Sequence, residues 1–197
     1  MIRILRVSTH PTNTHHGVGL HPSIISENEI FDTIYVTPTI DQNATFLEPK
    51  NYTLKVCKII FKKRNIQDSK VNKFCFQLIR IFKIFSFSLF ALREIKKKDI
   101  DVVHIHSPMY LLVALWGKLN GKLTCITYHG TDFLIIRNNR IYKFFSKKII
   151  NIGFCISPHM QYEIKALHNK IYYAPNGINT EIFKNKKIER ENIILAV

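Results

Sequence analysis

The feature that most constrains this chain is the regular alternation that sets in at Asp101. Asp101-Val-Val-His-Ile-His106 reads as a strand, Met109 to Leu119 as a helix ending near Gly121, and Leu123-Thr-Cys-Ile-Thr-Tyr128 as a strand. Asn139 to Ile150 follows as a basic amphipathic helix, Gly153-Phe-Cys-Ile156 as a strand, Pro158 to Leu167 as a helix and Ile171-Tyr-Tyr-Ala174 as a strand. Strands separated by single helices of this length predict an α/β fold, a doubly wound parallel sheet of the Rossmann-like kind. Upstream, Ile2 to Val7 predicts a first strand, Thr33-Ile-Tyr-Val-Thr37 a second ended by Pro38, and Leu54 to Phe61 a third whose lysines interrupt the pattern. Val71 to Lys98 suits a long helix that finishes on Lys96-Lys97-Lys98, where cations complement the helix dipole.

A chain of 197 residues, 46% hydrophobic and 22% charged, has the material for one well-buried domain and is too short for two ordinary ones. Its 29 Lys+Arg against 14 Asp+Glu leave a formal +15, which favours nucleic acid, anionic lipid or phosphorylated substrates as partners. Cys57, Cys75, Cys125 and Cys155 form no CxxC pair and sit in apolar runs, so they read as buried thiols in a reducing cytosol, without a zinc site or disulfide framework. Met1 to Val7 lacks the long apolar stretch and cleavage site of a signal peptide. Near the other end, Lys184 to Arg190 is a charged linker and Asn192-Ile-Ile-Leu-Ala-Val197 a fresh apolar strand. The expected organisation is one domain over 1–183, with 184–197 as linker and first strand of a second domain that the chain does not carry. In the other reading, the last strand completes the same sheet.

In doubly wound sheets ligands bind at the carboxyl ends of the strands, and there the polar residues collect. His16-Gly17-Val-Gly19 follows the first strand, and His106-Ser107-Pro108 the fourth. Tyr128-His129-Gly130-Thr131-Asp132, Ser157-Pro158-His159 and Pro175-Asn176-Gly177 follow the next three. His104 and His106, two apart, share one strand face. An HxH pair can bind metal, but no third ligand with suitable spacing is visible, so no metal site is expected.

The loops resemble those of glycosyltransferase family 4, whose GT-B architecture faces two Rossmann-like domains across a cleft. The matching pieces are Gly17-Val-Gly19, Asp101-Val-Val-His-Ile-His-Ser-Pro108, Thr127-Tyr-His-Gly-Thr-Asp132, and Ala174-Pro-Asn-Gly-Ile-Asn179 followed by Phe183. They span nearly the whole chain, in the order of the family's acceptor-side domain, and the last two are the more specific. The resemblance implies sugar transfer from a nucleotide-diphosphate sugar to an acceptor hydroxyl, of hexosyltransferase type with retention, in cell-envelope polysaccharide or glycolipid synthesis. The nucleotide sugar would be a co-substrate, with no cofactor. Gly17 and Gly19 would let backbone approach the donor diphosphate; GxG alone fits an ordinary turn equally well. His129 would face the transferred sugar or the acceptor hydroxyl, or be a buried histidine bonded to a loop. Asp132 would take the acceptor's proton, or cap the segment that follows. Asn176 and Gly177 would border the donor, although Asn-Gly is also a generic turn. His106, Ser107 and His16 would line the acceptor side, with His106 at the cleft edge and His104 packed in the sheet.

Asn179 stands where the family has Asp, and Leu20-His21-Pro22 where a basic or polar residue opens a helix; Pro22 suits a first helical turn. The family's leaving-group Arg and Lys and its paired glutamates have no counterpart before Val197, so little or no transferase activity is expected of this chain alone. Phe74 to Leu92 holds fourteen apolar residues in nineteen, with Gln77, Arg80, Lys83 and Ser86 spaced by three. Two mid-helix cations make spanning a bilayer costly. The expectation is a core-packed helix whose polar strip drifts towards solvent and which also contacts an anionic membrane surface, on a cytoplasmic protein peripheral to the inner face of the cell membrane. A nucleic-acid-binding protein would interleave exposed aromatics with its basic residues; here the aromatics fall in strands and in this helix, so no nucleic-acid partner is expected. A non-catalytic remnant is the third reading, and the coding sequence after Val197 separates it from an enzyme.

Overall fold

The computed structural model describes residues 1–12, 20–39, 45–60, 70–97, 99–130, 139–165, 167–168 and 170–176. Along the chain these give β1 (Ile2–Val7), α1 (Leu20–Ser26), β2 (Phe31–Thr39), β3 (Thr53–Ile60), α2 (Lys70–Lys97) and β4 (Val102–Ile105). A 3₁₀ turn (Pro108–Tyr110) then leads into α3 (Leu111–Leu119), β5 (Leu123–Tyr128), α4 (Arg140–Ile149), β6 (Ile152–Cys155), α5 (Pro158–Ile164) and β7 (Ile171–Tyr173). The seven strands form one sheet in the order β3-β2-β1-β4-β5-β6-β7, and every pairing is parallel. The order reverses between β1 and β4, which makes their carboxyl ends the crevice of this sheet.

The two faces of the central strands differ, and period-two alternation explains why. Leu5 and Val7 of β1, Ile34 and Val36 of β2, Val103 and Ile105 of β4, and Ile126 and Tyr128 of β5 enter one apolar core with Phe87, Ala91 and Ile95 of α2 and Val113 and Ala114 of α3. The alternate positions carry Arg6, Thr33, Tyr35, Thr37, His104 and Thr127, all buried. Right-handed crossovers send α1 to this polar face and α2 and α3 to the apolar one. The fold therefore stores its polar groups under α1, next to the crevice.

Local rules fix the element ends. Gly121 (φ 71°) terminates α3 in the left-handed region that glycine adopts without a Cβ clash. Ser107 accepts a hydrogen bond from the Met109 amide (3.3 Å) and Ser157 one from the Met160 amide (3.2 Å), each before a proline in the first turn. β2 is longer than expected. It runs through Pro38, which stays in register opposite Cys57, and the register shifts only between Pro38 and Thr39. Proline lacks the amide the ladder needs, and a local irregularity absorbs the loss next to the edge strand.

Two expectations are corrected. Cys75 is exposed on α2, whereas Cys57, Cys125 and Cys155 are buried thiols. The polar strip of α2 does reach solvent at Gln77 and Arg80, while Lys83 Nζ turns back to donate to the Ile60 carbonyl (2.8 Å). It is the face expected in the core that differs: Leu78, Ile81, Phe82 (70% exposed), Phe85 and Leu89 are exposed as well. Their spacing of three and four puts them on one stripe of the helix. The segment Cys75–Lys97 is long and apolar enough to cross a membrane by length and composition. However, Phe87, Ala91 and Ile95 are fixed in the domain core, so its carboxyl half belongs to the folded domain. The expected linker and final strand beyond Phe183 lie outside the described residues.

Candidate active site

At the crevice four side chains from four elements meet. Arg6 comes from β1, His21 from α1, His106 from the residue after β4 and His129 from the residue after β5. Strand register makes this possible: Arg6 pairs with His104 across the β1–β4 junction, and the His106 amide extends that pairing to the Val7 carbonyl (3.0 Å). The His106 ring stacks on His104 (centroids 4.3 Å apart) and on His129 (5.7 Å). His21 approaches both from α1, edge-on, at 6.2 Å from His106 and 5.9 Å from His129. Arg6 Nη1 lies 3.4 Å from His106 Nε2, and His106 Nδ1 lies 3.5 Å from His129 Nε2.

Burial sets the electrostatics. Arg6 is 4% exposed and, among the described residues, has no carboxylate partner; its Nε is buried without a hydrogen bond. Burial draws its pKa down to about 10. Burial, with Arg6 and the neighbouring imidazoles adding to it, holds His104 and His106 well below the ordinary histidine value. Burial and then His21 bring His129 down to about 4, and burial and then Arg6 lower His21. At neutral pH the cluster is one fixed cation behind neutral imidazoles, suited to donating and accepting hydrogen bonds without taking up charge.

His129 lies at the crevice as expected, although it is 5% exposed. His106 was expected at the cleft edge; it is 2% exposed and lies between Arg6 and His129, so it can act on a ligand only through His129. His104 is packed in the sheet as expected, its Nε2 2.8 Å from Thr127 Oγ1. The Ser107 hydroxyl is engaged in capping the 3₁₀ turn, and at the β6 exit Ser157 caps α5. His159 reaches its own helix, 3.3 Å from Glu163, rather than the crevice. Asn176 is exposed just beyond β7, two strands from β5 and so roughly 10 Å across the sheet edge. His16, Gly17, Gly19, Asp132 and Gly177 lie outside the described residues.

Sequence reasoning missed Arg6 and His21. Arg6 carried a signal, since an arginine at an inward position of a β-branched central strand needs a reason to be there. A group of ring nitrogens within 4.8 Å of one another does form, though not around the His104/His106 pair: His106 and His129 are joined by His21. It comes from α1 and belongs to no local spacing pattern.

The sequence pattern of the family described as Glycosyltransferase Family 4 matches residues 56–182. No curated protein sequence matches the chain significantly. Among solved structures, sucrose-phosphate synthase from Thermosynechococcus elongatus superposes with a TM-score of 0.64 at 12% identity, over 92% of this chain and 50% of that one. A glycosyltransferase from Rickettsia africae gives 0.58 at 16% identity, over 92% and 45%. A UGT from Arabidopsis thaliana complexed with UDP-L-rhamnose gives 0.53 at 10% identity, over 87% and 51%. At these identities the likeness is one of fold, and the chain spans about half the length of the structures it matches.

Proposed function

The chain belongs to glycosyltransferase family 4, and from that premise we propose that it is the acceptor-side lobe of an enzyme that moves a sugar from a nucleotide-diphosphate carrier to an acceptor hydroxyl. The observation that carries this reading is the meeting of His129, His106, His21 and Arg6 at the β1–β4 switch point of the sheet. A sugar offers many hydroxyls and little charge, and neutral buried imidazoles are suited to orienting such groups. His129 holds the transferred sugar or the acceptor hydroxyl, and Asn176 borders the donor. Gly17, Gly19 and Gly177 give the donor diphosphate backbone access, His16 and Ser107 flank the acceptor, and Asp132 is the candidate proton acceptor.

Leaving-group stabilisation falls to a second lobe, in keeping with a chain half the length of its structural relatives. Residues 1–197 alone therefore turn over no nucleotide sugar, while protein whose reading frame continues into a donor-binding lobe does. The test is acceptor-dependent release of nucleoside diphosphate from a panel of UDP-, GDP- and dTDP-sugars. Turnover by residues 1–197 alone would overturn this division of labour, and absence of release from the two-lobed protein would overturn the transferase reading.

A peripheral place on the inner face of an anionic membrane, with a cell-envelope acceptor, belongs to the same proposal; what the exposed stripe of α2 supports in it is the membrane contact. Beside that stripe, Ile141, Phe144 and Phe145 of α4 are exposed among Lys143, Lys147 and Lys148. A groove of about 280 Å³ between α2, α3 and α4 is lined by Ile84, Met109, Leu112, Leu115, Ile141 and Phe145. Apolar side chains ringed by cations suit an interface of acyl chains and anionic headgroups. Co-sedimentation with anionic vesicles at low salt tests this, and its failure would reject the membrane role.

A further inference from the structure

The group of three imidazoles admits two incompatible chemistries, a metal ligand set or a hydrogen-bond relay, and Arg6 decides between them. We propose that Arg6 is a positioning residue that fixes His106, and through it His129, as the tautomer protonated on Nδ1, so that His129 meets the sugar as a donor at Nδ1. The assignment to a sugar rests on the transferase reading above; the tautomers do not.

A guanidinium has N–H donors and no acceptor. Arg6 Nη1 faces His106 Nε2 at 3.4 Å, so Nε2 must present its lone pair. A neutral imidazole has one ring proton, which is then on Nδ1. That Nδ1–H faces His129 Nε2 at 3.5 Å, so His129 Nε2 in turn presents a lone pair and its proton is on Nδ1. Both contacts exceed the usual hydrogen-bond length of about 2.9–3.0 Å. They act mainly by exclusion: the opposite tautomer of either ring sets two N–H donors head to head in a buried site, where an unmatched donor is costly.

The same reasoning disfavours a metal ion. A cation bridging His106 and His129 needs lone pairs on both facing nitrogens. That would force the His106 proton onto Nε2, against Arg6 Nη1, and would bring a second positive centre beside a guanidinium that is 4% exposed and has no carboxylate partner among the described residues. Arg6 lies on β1 beneath the cluster and acts through His106 rather than on a ligand. Its effect is to choose which ring nitrogen His129 offers.

Long-range ¹H–¹⁵N imidazole spectra of labelled residues 1–197 test this directly, with signals assigned by His106→Asn and His129→Asn. The expected result is Nδ1 protonation at both rings, although free neutral histidine favours Nε2–H. Arg6→Met releases the constraint, and His129 shifts towards Nε2–H while His168, remote from Arg6, keeps its signals and reports an intact fold. Should Arg6→Met not fold, the wild-type spectrum still decides: Nε2–H at His106 or His129 overturns the proposal. One equivalent of zinc chloride should leave the spectrum unchanged, and metal-shifted His106 and His129 resonances would overturn it in favour of the ligand set. In the two-lobed enzyme Arg6→Met should lower kcat about 10-fold with little change in KM. Correct tautomers with an unchanged kcat would overturn the link to sugar transfer while leaving the tautomer assignment in place.

Discussion

Mild acid should destabilise this domain through its buried histidines. Burial and then His21 bring His129 down to about 4, and burial alone brings His168 to about 4; both are 5% exposed. In the unfolded chain each returns to its ordinary value near 6.5. The folded value is depressed, so the stability each contributes is present above about 6.5 and is lost as pH falls towards 4, because the unfolded state binds the proton first. Each pH unit in that window costs about 1.4 kcal/mol per group, so going from about pH 7.5 to about pH 5 removes about 2 kcal/mol per histidine and about 4 kcal/mol for the pair. His104 and His106 act in the same direction. A loss of that size is a large share of a typical domain stability of about 5–15 kcal/mol. Urea unfolding followed by circular dichroism at the two pH values measures it, with the m-value checking that the transition stays two-state. Acid also raises the repulsion among surplus cations, but added salt screens that repulsion and leaves buried imidazoles untouched. The loss should therefore persist in high salt, and His168→Gln should remove roughly half of the share assigned to the pair. Equal stability at the two pH values, or a loss abolished by salt, would refute the argument.

Three further outcomes follow from the packing. A Cβ at Gly117 of α3 would lie 2.7 Å from Val103 Cγ2 and 2.9 Å from Val103 Cβ, in the core. Gly117→Ala should therefore cost about 1–2 kcal/mol net of its helix-propensity gain in thermal or urea unfolding, and a stabilised variant would contradict this. The Tyr128 hydroxyl joins Ser146 Oγ (3.0 Å) to His168 Nε2 (2.6 Å), and His168 Nδ1 is already buried without a partner. Tyr128→Phe should cost about 1–3 kcal/mol, and neutrality in urea unfolding would show that the bridge contributes nothing. The double change Phe82→Ser, Phe85→Ser on the exposed stripe of α2 should abolish anionic-vesicle binding with Tm unchanged; retained binding would remove α2 from the membrane interface.

How much the sequence revealed depended on whether the signal was local. β1 and β5 were legible to the residue, because β-branched runs bounded by turn residues are local patterns. Tertiary context overrode the rest. Pro38 remained inside β2 because the register shift beside it absorbs the missing amide. The nineteen-residue reading of Phe74 to Leu92 as a core helix with a solvent-facing polar strip matches Gln77 and Arg80, but Lys83 turns to the Ile60 carbonyl and Leu78, Ile81 and Phe82 are exposed. In the site, His129 was found because its motif is contiguous. Arg6 and His21 were not, because they join His106 only through the β1–β4 register and the position of α1, and spacing along the chain cannot show that. Ser107 and Ser157 cap helical turns at the strand exits, a job the sequence did not separate from ligand contact because caps and ligand-binding loops use the same polar residue types there.

The most direct measurement is the steady-state rate of acceptor-dependent nucleoside diphosphate release by the two-lobed protein, wild type against His129→Ala. Loss of a group that orients the reacting sugar should lower kcat by about 10²-fold with KM changed little. A His129→Ala enzyme that folds normally and keeps the wild-type kcat would contradict the assignment of the switch-point cluster as the place where sugar transfer is organised.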